Sequence, residues 1–311
     1  MSPFRSIKGR ALGKLIEGFK SSDIGKGFGS GGGAGGAGSA TGGTQTIDGD
    51  TNYHIFTHGN TPESFAVTGT ITNCEVLVVG GGGGCGYDVG GGGGAGGIAH
   101  FTGLDFTDGI YTINIGSGGA SPGQPGVLGT PGGNTTIVVP SPPGSAVTIT
   151  AAGGGGGGTY ANPGNGLPGG SGGGGGSSPS NPGGSATQPG LNPGVSFGGF
   201  TQHGSNGGNS APGQHGSGGG GGAGGNGANG VNDQGVAGGV GRTYNIDNGN
   251  SYSYGSGGYG NDDGGAIQPP SLNRDGTPKN ANPLGSGNGA NGTGQGSTYP
   301  SGDNGIVIIK Y

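Results

Sequence analysis

Residues 153–158 have the sequence GGGGGG, and with the runs at 172–176 and 218–222 (both GGGGG) they decide the fold class. Glycine accounts for 96 of the 311 residues, without a fixed triplet repeat. Because glycine has no side chain to bury and loses much backbone entropy on folding, a hydrophobic core cannot order these runs. Side-by-side packing of left-handed extended helices can order them, since glycine is needed wherever a helix edge faces a neighbour. The runs therefore predict a polyglycine II-type helix bundle over residues 153–305.

A disordered chain is the alternative that the composition leaves open. Glycine and the 20 prolines together exceed the share of about 25–30% that is typical of low-complexity sequence. Disordered chains usually carry a high net charge, whereas only 8% of these residues are charged and the net charge is −5. The composition therefore favours an ordered bundle.

Strand-like segments lie on both sides of the glycine-rich region. They are short, rich in β-branched and aromatic residues, and bounded by Gly, Pro, Asn or Asp. They occupy residues 51–57, 64–68, 74–79, 98–102, 110–115, 135–139 and 146–150. Their spacing predicts an antiparallel β domain over residues 44–152, a small sandwich or barrel, with Val76, Val78, Ile113 and Ile115 facing its core. Residues 306–311 (IVIIKY) are predicted to return to the same sheet and close it.

Residues 1–28 form a basic segment, which is followed by a Gly/Ala/Ser-rich stretch at 29–43 that we predict to be a linker. Six of the ten basic residues lie in the basic segment, beside only Glu17 and Asp23. Its apolar residues recur at spacings of three and four, which predicts a short amphipathic helix. Interior glycines make this helix marginal alone, so we expect it to order on another protein, with a membrane-surface helix, nucleic-acid binding and a solvated tail as alternatives. The predicted docking residues are Phe4, Ile7, Leu12, Leu15, Ile16 and Phe19.

No catalytic or metal-binding constellation can be assembled from the sequence. A GxGxxG pattern at residues 81–86 resembles a dinucleotide-binding fingerprint, but the glycine content makes it expected by chance, and the glycines that follow cannot form the required helix. We therefore expect no enzyme, no cofactor and no metal ion. Cys74 and Cys85 are the only cysteines, and a disulfide between them is left open, with free thiols favoured. The sequence has no run of eighteen apolar residues, so no membrane insertion is expected.

Four segments carry a resemblance to a known family. They are EVLVVGGGGG from residue 75, GGGGGAGG from residue 90, IYTINIGSGG from residue 110 and GIVIIKY from residue 305. With them, residues 53–311 resemble the glycine-rich domain of bacteriophage tail-fibre and adhesin proteins, and are similar in kind to polyglycine-sandwich phage adhesins. The resemblance implies an appendage on the virion surface, in which residues 1–28 anchor the chain to other virion proteins.

Aromatic segments that interrupt the glycine runs are the candidate binding sites. Residues 242–263 hold four of the ten tyrosines among Ser, Gly and Asn, a composition typical of antibody paratopes. Residues 197–215 and 267–284 are the second and third candidates. The alternative is that the tyrosines pack on one another or on the β domain. The predicted receptor-binding residues are Arg242, Tyr244, Tyr252, Tyr254, Tyr259, Phe200 and His203.

Two function classes follow from these observations, and a cellular ice-binding or wall protein is a more distant third, against which the basic segment argues. The first is a tail fibre or adhesin that binds a host cell-surface glycan or outer-membrane protein through loops of the glycine-rich bundle. The second is a purely structural virion decoration or connector protein without receptor contact. We expect no nucleic-acid partner, and a homo-oligomer is left open. Exposed, clustered aromatic loops would favour the adhesin.

Overall fold

The computed structural model describes residues 38–59, 62–139, 147–160, 163–177, 180–190, 192, 199–213, 215–247, 249–262, 287–291 and 300–311. Within these ranges the chain has thirteen β-strands, one 3-10 turn at Gln188–Gly190 and no α-helix. The prediction of a mainly β fold is confirmed. The predicted helix at 1–28, with its six docking residues, and the candidate loop at 267–284 lie outside the described residues.

Eleven of the strands form two open antiparallel sheets. The smaller sheet has the order β1 (Ser39–Thr41), β4 (Glu63–Thr68), β7 (Gly109–Asn114), β8 (Thr135–Val139) and β9 (Val147–Ala151). The larger has the order β10 (Thr201–His203), β6 (Ile98–Phe106), β5 (Ile71–Val79), β13 (Ile306–Lys310), β3 (Thr51–Thr57) and β2 (Thr44–Asp48). Neither sheet closes on itself, so the barrel that the sequence also allowed is not formed. The remaining strands, β11 (Arg242–Asp247) and β12 (Asn250–Tyr254), form a separate hairpin.

Side chains from both sheets share one apolar cluster. Phe65 of the smaller sheet and Phe101 of the larger are both fully buried in it. Successive residues of a strand point to opposite faces, so the larger sheet also buries side chains on its other face. A second cluster, which includes Leu77 and Ile98, covers that face. The four residues predicted to face a core, Val76, Val78, Ile113 and Ile115, all belong to the first cluster, as predicted.

The strand β13 occupies the centre of the larger sheet, where it pairs antiparallel with β3 on one side and β5 on the other. Val307 and Ile309 belong to the first cluster, whereas Ile306 and Ile308 belong to the second. An uninterrupted apolar run is what a strand buried on both faces requires. The predicted return of residues 306–311 to the sheet is therefore confirmed.

The predicted linker at residues 29–43 does not extend to its stated end. Residues Ser39–Thr41 form β1, which pairs with β4 so that Ala40 lies opposite Val67 and is buried. A chain of small residues can pair in this way because the ladder is made by backbone groups and needs no large side chain. Strand β2 follows directly and pairs with β3. A composition typical of linkers thus conceals the edge strand β1.

The glycine runs are hydrogen-bonded to one another through their backbones with a period of three residues. In residues 91–97, every third N–H starting from Gly91 donates to a carbonyl of residues 152–158. The N–H groups of residues 92 and 95 donate to carbonyls of residues 218 and 221. Those of residues 93 and 96 donate to carbonyls of residues 290 and 287. All seven donor–acceptor distances lie between 2.8 and 3.1 Å. Buried backbone groups are thus satisfied without side chains, because each run meets three neighbours in turn.

Candidate functional site

The β11–β12 hairpin carries most of the residues predicted to contact a receptor. Tyr244 lies opposite Tyr252, and Arg242 lies opposite Tyr254. This segment is therefore a paired hairpin rather than the predicted polar loop. Its alternating pattern and the Asn–Gly pair at residues 248–249 are typical of hairpins.

The tyrosines of the hairpin are packed rather than displayed. Tyr254 is fully buried in the second apolar cluster, so the structure places it in the core rather than on an exposed surface. Tyr244 and Tyr252 are half-buried against the same cluster. The rings of Tyr244 and Tyr254 are 6.2 Å apart between centroids, and burial raises the pKa of Tyr244 to about 12. These three tyrosines therefore pack on the β domain, which is the alternative to receptor contact.

His100 lies against the ring of Tyr244, and the charges of His100 and Arg242 both act on His203. The rings of His100 and Tyr244 are 4.8 Å apart. The exposed Arg242 donates from Nε to the Ala223 carbonyl at 3.3 Å. Burial, and to a smaller extent the charges of Arg242 and His100, lowers the pKa of His203 to about 4. His203 is therefore uncharged at pH 7.

A short polar network continues from His100 across the same face of the larger sheet. Nε2 of His100 lies 3.0 Å from one carboxylate oxygen of Glu75, and Nζ of Lys310 lies 3.1 Å from the other. The hydrogen bond with His100 and the interaction with Lys310 hold the pKa of Glu75 below its usual value, although burial opposes them. This network satisfies the carboxylate and fixes His100 against Tyr244.

Phe200 and Tyr259 do not join the group around Arg242. Phe200 stacks on Phe101, with ring centroids 4.5 Å apart, and packs against the first apolar cluster, on the opposite face of the sheet from His203. Tyr259 is half-buried, and its backbone N–H donates to Oδ1 of Asn291 at 3.1 Å. The structure thus brings Arg242, Tyr244 and His203 together, but does not assemble the seven predicted residues into one surface.

The lowered pKa of His203 gives a prediction about acid stability. An unfolded histidine binds a proton below about pH 6.5, whereas folded His203 does so only near pH 4. The unfolded state binds more protons between these values, so the free energy of unfolding should fall as the pH drops through this window. The His203→Asn variant should lose less stability than the wild type between pH 7 and about pH 5. Denaturant titrations at several pH values measure this, and parallel curves for the two proteins would contradict it.

A groove of about 330 Å³ lies among the glycine runs and is lined by neutral polar groups. Four exposed asparagines stand along it in two adjacent runs, and we call it the asparagine groove. Within each run the two asparagines are three residues apart, which is about 9 Å in an extended helix that rises about 3.1 Å per residue. The four residues are Asn206, Asn209, Asn226 and Asn229.

Each asparagine side chain of the groove takes the place of a backbone carbonyl. The N–H of Asn206 donates to Oδ1 of Asn226 at 3.1 Å, and the N–H of Asn209 donates to Oδ1 of Asn229 at 2.9 Å. The Oδ1 atoms of Asn206 and Asn209 in turn accept from the N–H groups of Ala186 and Gly183, at 2.8 and 3.0 Å. Because each amide oxygen is held in this way, the side chain is fixed and its NH₂ group remains available to the groove.

The asparagine groove is absent from the sequence predictions, although a signal for it exists. Residues 206–209 have the sequence NGGN and residues 226–229 have NGAN, so the same pair recurs twenty residues later. A spacing of three places both members of each pair on the same edge of a helix with three residues per turn. The aromatic segments drew the prediction away from this repeat.

Neither a cluster of metal-ligand side chains nor a disulfide is found in the described part of the chain. There, no three His, Cys, Asp or Glu side chains lie close enough together to hold a metal ion. Cys74 and Cys85 are buried and are not joined to each other, so the disulfide left open by the sequence is not formed. Burial raises the pKa of Cys74 to about 12. Among the described residues there is also no helix long and apolar enough to span a membrane.

Comparison with known proteins identifies the family. The family model described as a glycine-rich domain matches residues 57–311. No curated protein matches the chain. The matched region begins at the end of β3 and includes the hairpin, the asparagine groove and β13. Because it covers far more than half of the sequence, the chain belongs to the glycine-rich domain family.

Proposed function

We propose that the chain is a structural virion protein of a bacteriophage, a tail fibre or adhesin on the particle surface that binds a host cell-surface glycan or outer-membrane protein. One observation carries the proposal, namely the chain order of the larger sheet. Strands β3 and β5 precede the long glycine-rich insertion that follows β9, whereas β13, which pairs with both of them, comes after it. This is the order of segments on which the resemblance to phage adhesins rests. Residues 1–28 are proposed to attach the chain to other virion proteins.

We also propose an architecture for this appendage, namely a β-sandwich that carries a polyglycine II helix bundle. The apolar cluster shared by the two sheets supports the sandwich. The three-residue period of the hydrogen bonds between glycine runs supports the bundle, since polyglycine II has three residues per turn. Such a scaffold leaves binding to the side chains on its surface, because most positions in its interior have room only for backbone.

A virion decoration or connector protein without receptor contact is the second candidate. It is favoured by the packing of Tyr244, Tyr252 and Tyr254 on the larger sheet, because aromatic side chains that bind a receptor should be exposed. In this case the glycine runs would serve as a stiff spacer alone.

An antibody against residues 38–311 distinguishes these candidates on purified phage particles. We expect immunogold labelling of the particle surface and inhibition of adsorption to host cells by the monovalent antibody fragment. Labelling without inhibition would favour the decoration or connector protein. Particles that contain none of this chain by mass spectrometry would exclude both candidates.

Deletion of residues 1–28 tests the proposed attachment. The apolar residues of this segment need a partner to cover them, so the truncated chain should fold but should not enter the particle. A thermal melt of the purified chain checks folding, and quantitative mass spectrometry of the particles measures copy number. Incorporation at the wild-type copy number would contradict the prediction.

A further inference from the structure

We propose that the asparagine groove is a binding site for a neutral, polyhydroxylated ligand, with the chemistry of an uncharged polysaccharide chain. In the proposed adhesin, this groove is the site that binds the host-cell glycan. Only the source of the ligand, the host cell, rests on that proposed function. The groove itself is defined by Asn206, Asn209, Asn226 and Asn229 and by the glycines between them.

The groove offers hydrogen-bond donors at fixed positions. An asparagine side chain has one oxygen acceptor and one NH₂ group with two donors. At all four positions the oxygen is engaged by a backbone N–H of a neighbouring run. Sugar hydroxyls can accept from the NH₂ groups that remain. Since the donors are held in place before binding, little conformational entropy is lost when a ligand binds.

The lining of the groove argues against other classes of ligand. Its residues are Gly, Ser and Asn only, so it has no Lys or Arg to neutralise phosphates, as binding to nucleic acid or anionic lipid requires. It also lacks the aromatic and aliphatic side chains that form the centre of a protein interface. A concave groove does not match a flat ice surface. Neutral hydroxyl groups are the chemistry that agrees with uncharged amides.

The arrangement of the donors favours an extended ligand. The two runs lie in register, so that Asn206 contacts Asn226 and Asn209 contacts Asn229 across them. These two cross-run pairs are about 9 Å apart along the runs, from three residues at about 3.1 Å each. Glycines 207 and 227 line the groove between them. A linear oligosaccharide laid along the runs can therefore meet both pairs.

The test uses purified full-length protein labelled with ¹⁵N and linear neutral hexasaccharides of glucose, galactose and mannose as probes. We expect at least one of them to shift the side-chain NH₂ signals of the four groove asparagines in NMR spectra. An anionic uronic-acid hexasaccharide should shift them less. No shift with any neutral probe at millimolar concentration would overturn the proposal, as would ice-growth inhibition without sugar binding.

A double variant, Asn226→Asp with Asn229→Asp, separates binding from folding. Aspartate keeps an oxygen that accepts the N–H of Asn206 or Asn209, but it lacks the NH₂ donors. Binding should weaken by about tenfold or more, since four donors are lost. Asn134→Asp is the matched control, because exposed Asn134 accepts from the N–H of Gly153 at 2.9 Å outside the groove. Unchanged binding by a folded double variant would overturn the site.

The two proposals fail in different ways. If the neutral probes do not bind while the antibody still blocks adsorption of particles, the proposed sugar site is wrong and the proposed adhesin function stands. If the probes bind in a groove-dependent manner while the chain is absent from particles, the site stands and the virion assignment is wrong. If a variant does not fold, the NH₂ shifts of the wild-type protein still decide whether the groove binds sugar.

Discussion

Replacement of Gly155 or Gly220 by alanine is expected to destabilise the protein by more than about 3 kcal/mol, and replacement by valine is expected to prevent folding. A Cβ on Gly155 would overlap the carbonyl oxygen of Leu167, and one on Gly220 would overlap that of Gly93. In an ordinary core a neighbouring side chain can change rotamer to relieve such a contact. Here the obstructing atoms belong to the backbone, which cannot move without breaking hydrogen bonds.

The hydrogen bonds around Gly155 show what a shift would disturb. Its N–H donates to Ser171 at 2.9 Å, and its carbonyl accepts from Gly94 at 2.8 Å. Displacement of the run would weaken both bonds, and the runs beyond them would lose their register as well. Buried backbone groups left without partners cost about 1–3 kcal/mol each, which adds to the steric term.

Gly123→Ala is the matched control for these variants. Nothing lies within 4 Å of a Cβ at Gly123, and its φ is not in the left-handed region. Alanine there should be neutral, or stabilising by about 0.4–1 kcal/mol through the unfolded chain. Denaturant unfolding of the three alanine variants gives the comparison. Equal stability of all three would show that the glycine runs are not packed as described.

The glycine runs also show how much of this fold a sequence can predict. An uninterrupted run such as 153–158 excludes side-chain packing, so the need for an ordered backbone network follows from composition. The strand segments TNYHIFT and TTIVV begin and end as predicted, because β-branched and aromatic residues bounded by turn residues leave little choice. Which run neighbours which is not predictable, since one glycine run is chemically identical to another.

The missed elements have physical reasons as well. Strands β1 and β2 consist mostly of small and polar residues, and their pairing depends on edges that β4 and β3 expose only in the folded state. The hairpin β11–β12 was predictable from its alternating pattern and its Asn–Gly turn, but a cluster of tyrosines suggested a binding loop instead. Whether a tyrosine packs or is displayed depends on the partner beneath it, which the local sequence does not contain.

The asparagine groove illustrates the same limit for function. Asparagine spaced by three within glycine is visible in the sequence, but its meaning depends on the neighbouring run. Only the register of residues 206–209 with 226–229 shows that each amide oxygen is engaged and that the NH₂ groups remain. The chemistry of this surface therefore follows from tertiary packing and not from a motif.

Deletion of residues 306–311 is expected to abolish cooperative folding of both sheets. Strand β13 lies between β3 and β5, so its loss leaves two backbone ladders without a partner in the centre of the larger sheet. Ile306, Val307, Ile308 and Ile309 are fully buried and contribute to both apolar clusters. Each fully buried aliphatic side chain contributes about 1.5–3 kcal/mol, so the sum is comparable to the total stability of a typical domain.

A pair of point variants within β13 refines this prediction. Ile309→Ala should cost about 2–5 kcal/mol, because the side chain is fully buried in the first cluster and leaves a cavity. Lys310→Ala, on the next residue, should cost less than about 1 kcal/mol, since its ion pair with Glu75 is partly exposed. Thermal and denaturant unfolding measure both effects. If the deletion variant unfolds cooperatively near the wild-type midpoint, or if Ile309→Ala is no more harmful than Lys310→Ala, then β13 does not close the sheet, because a strand that joins both clusters cannot be removed without unfolding them.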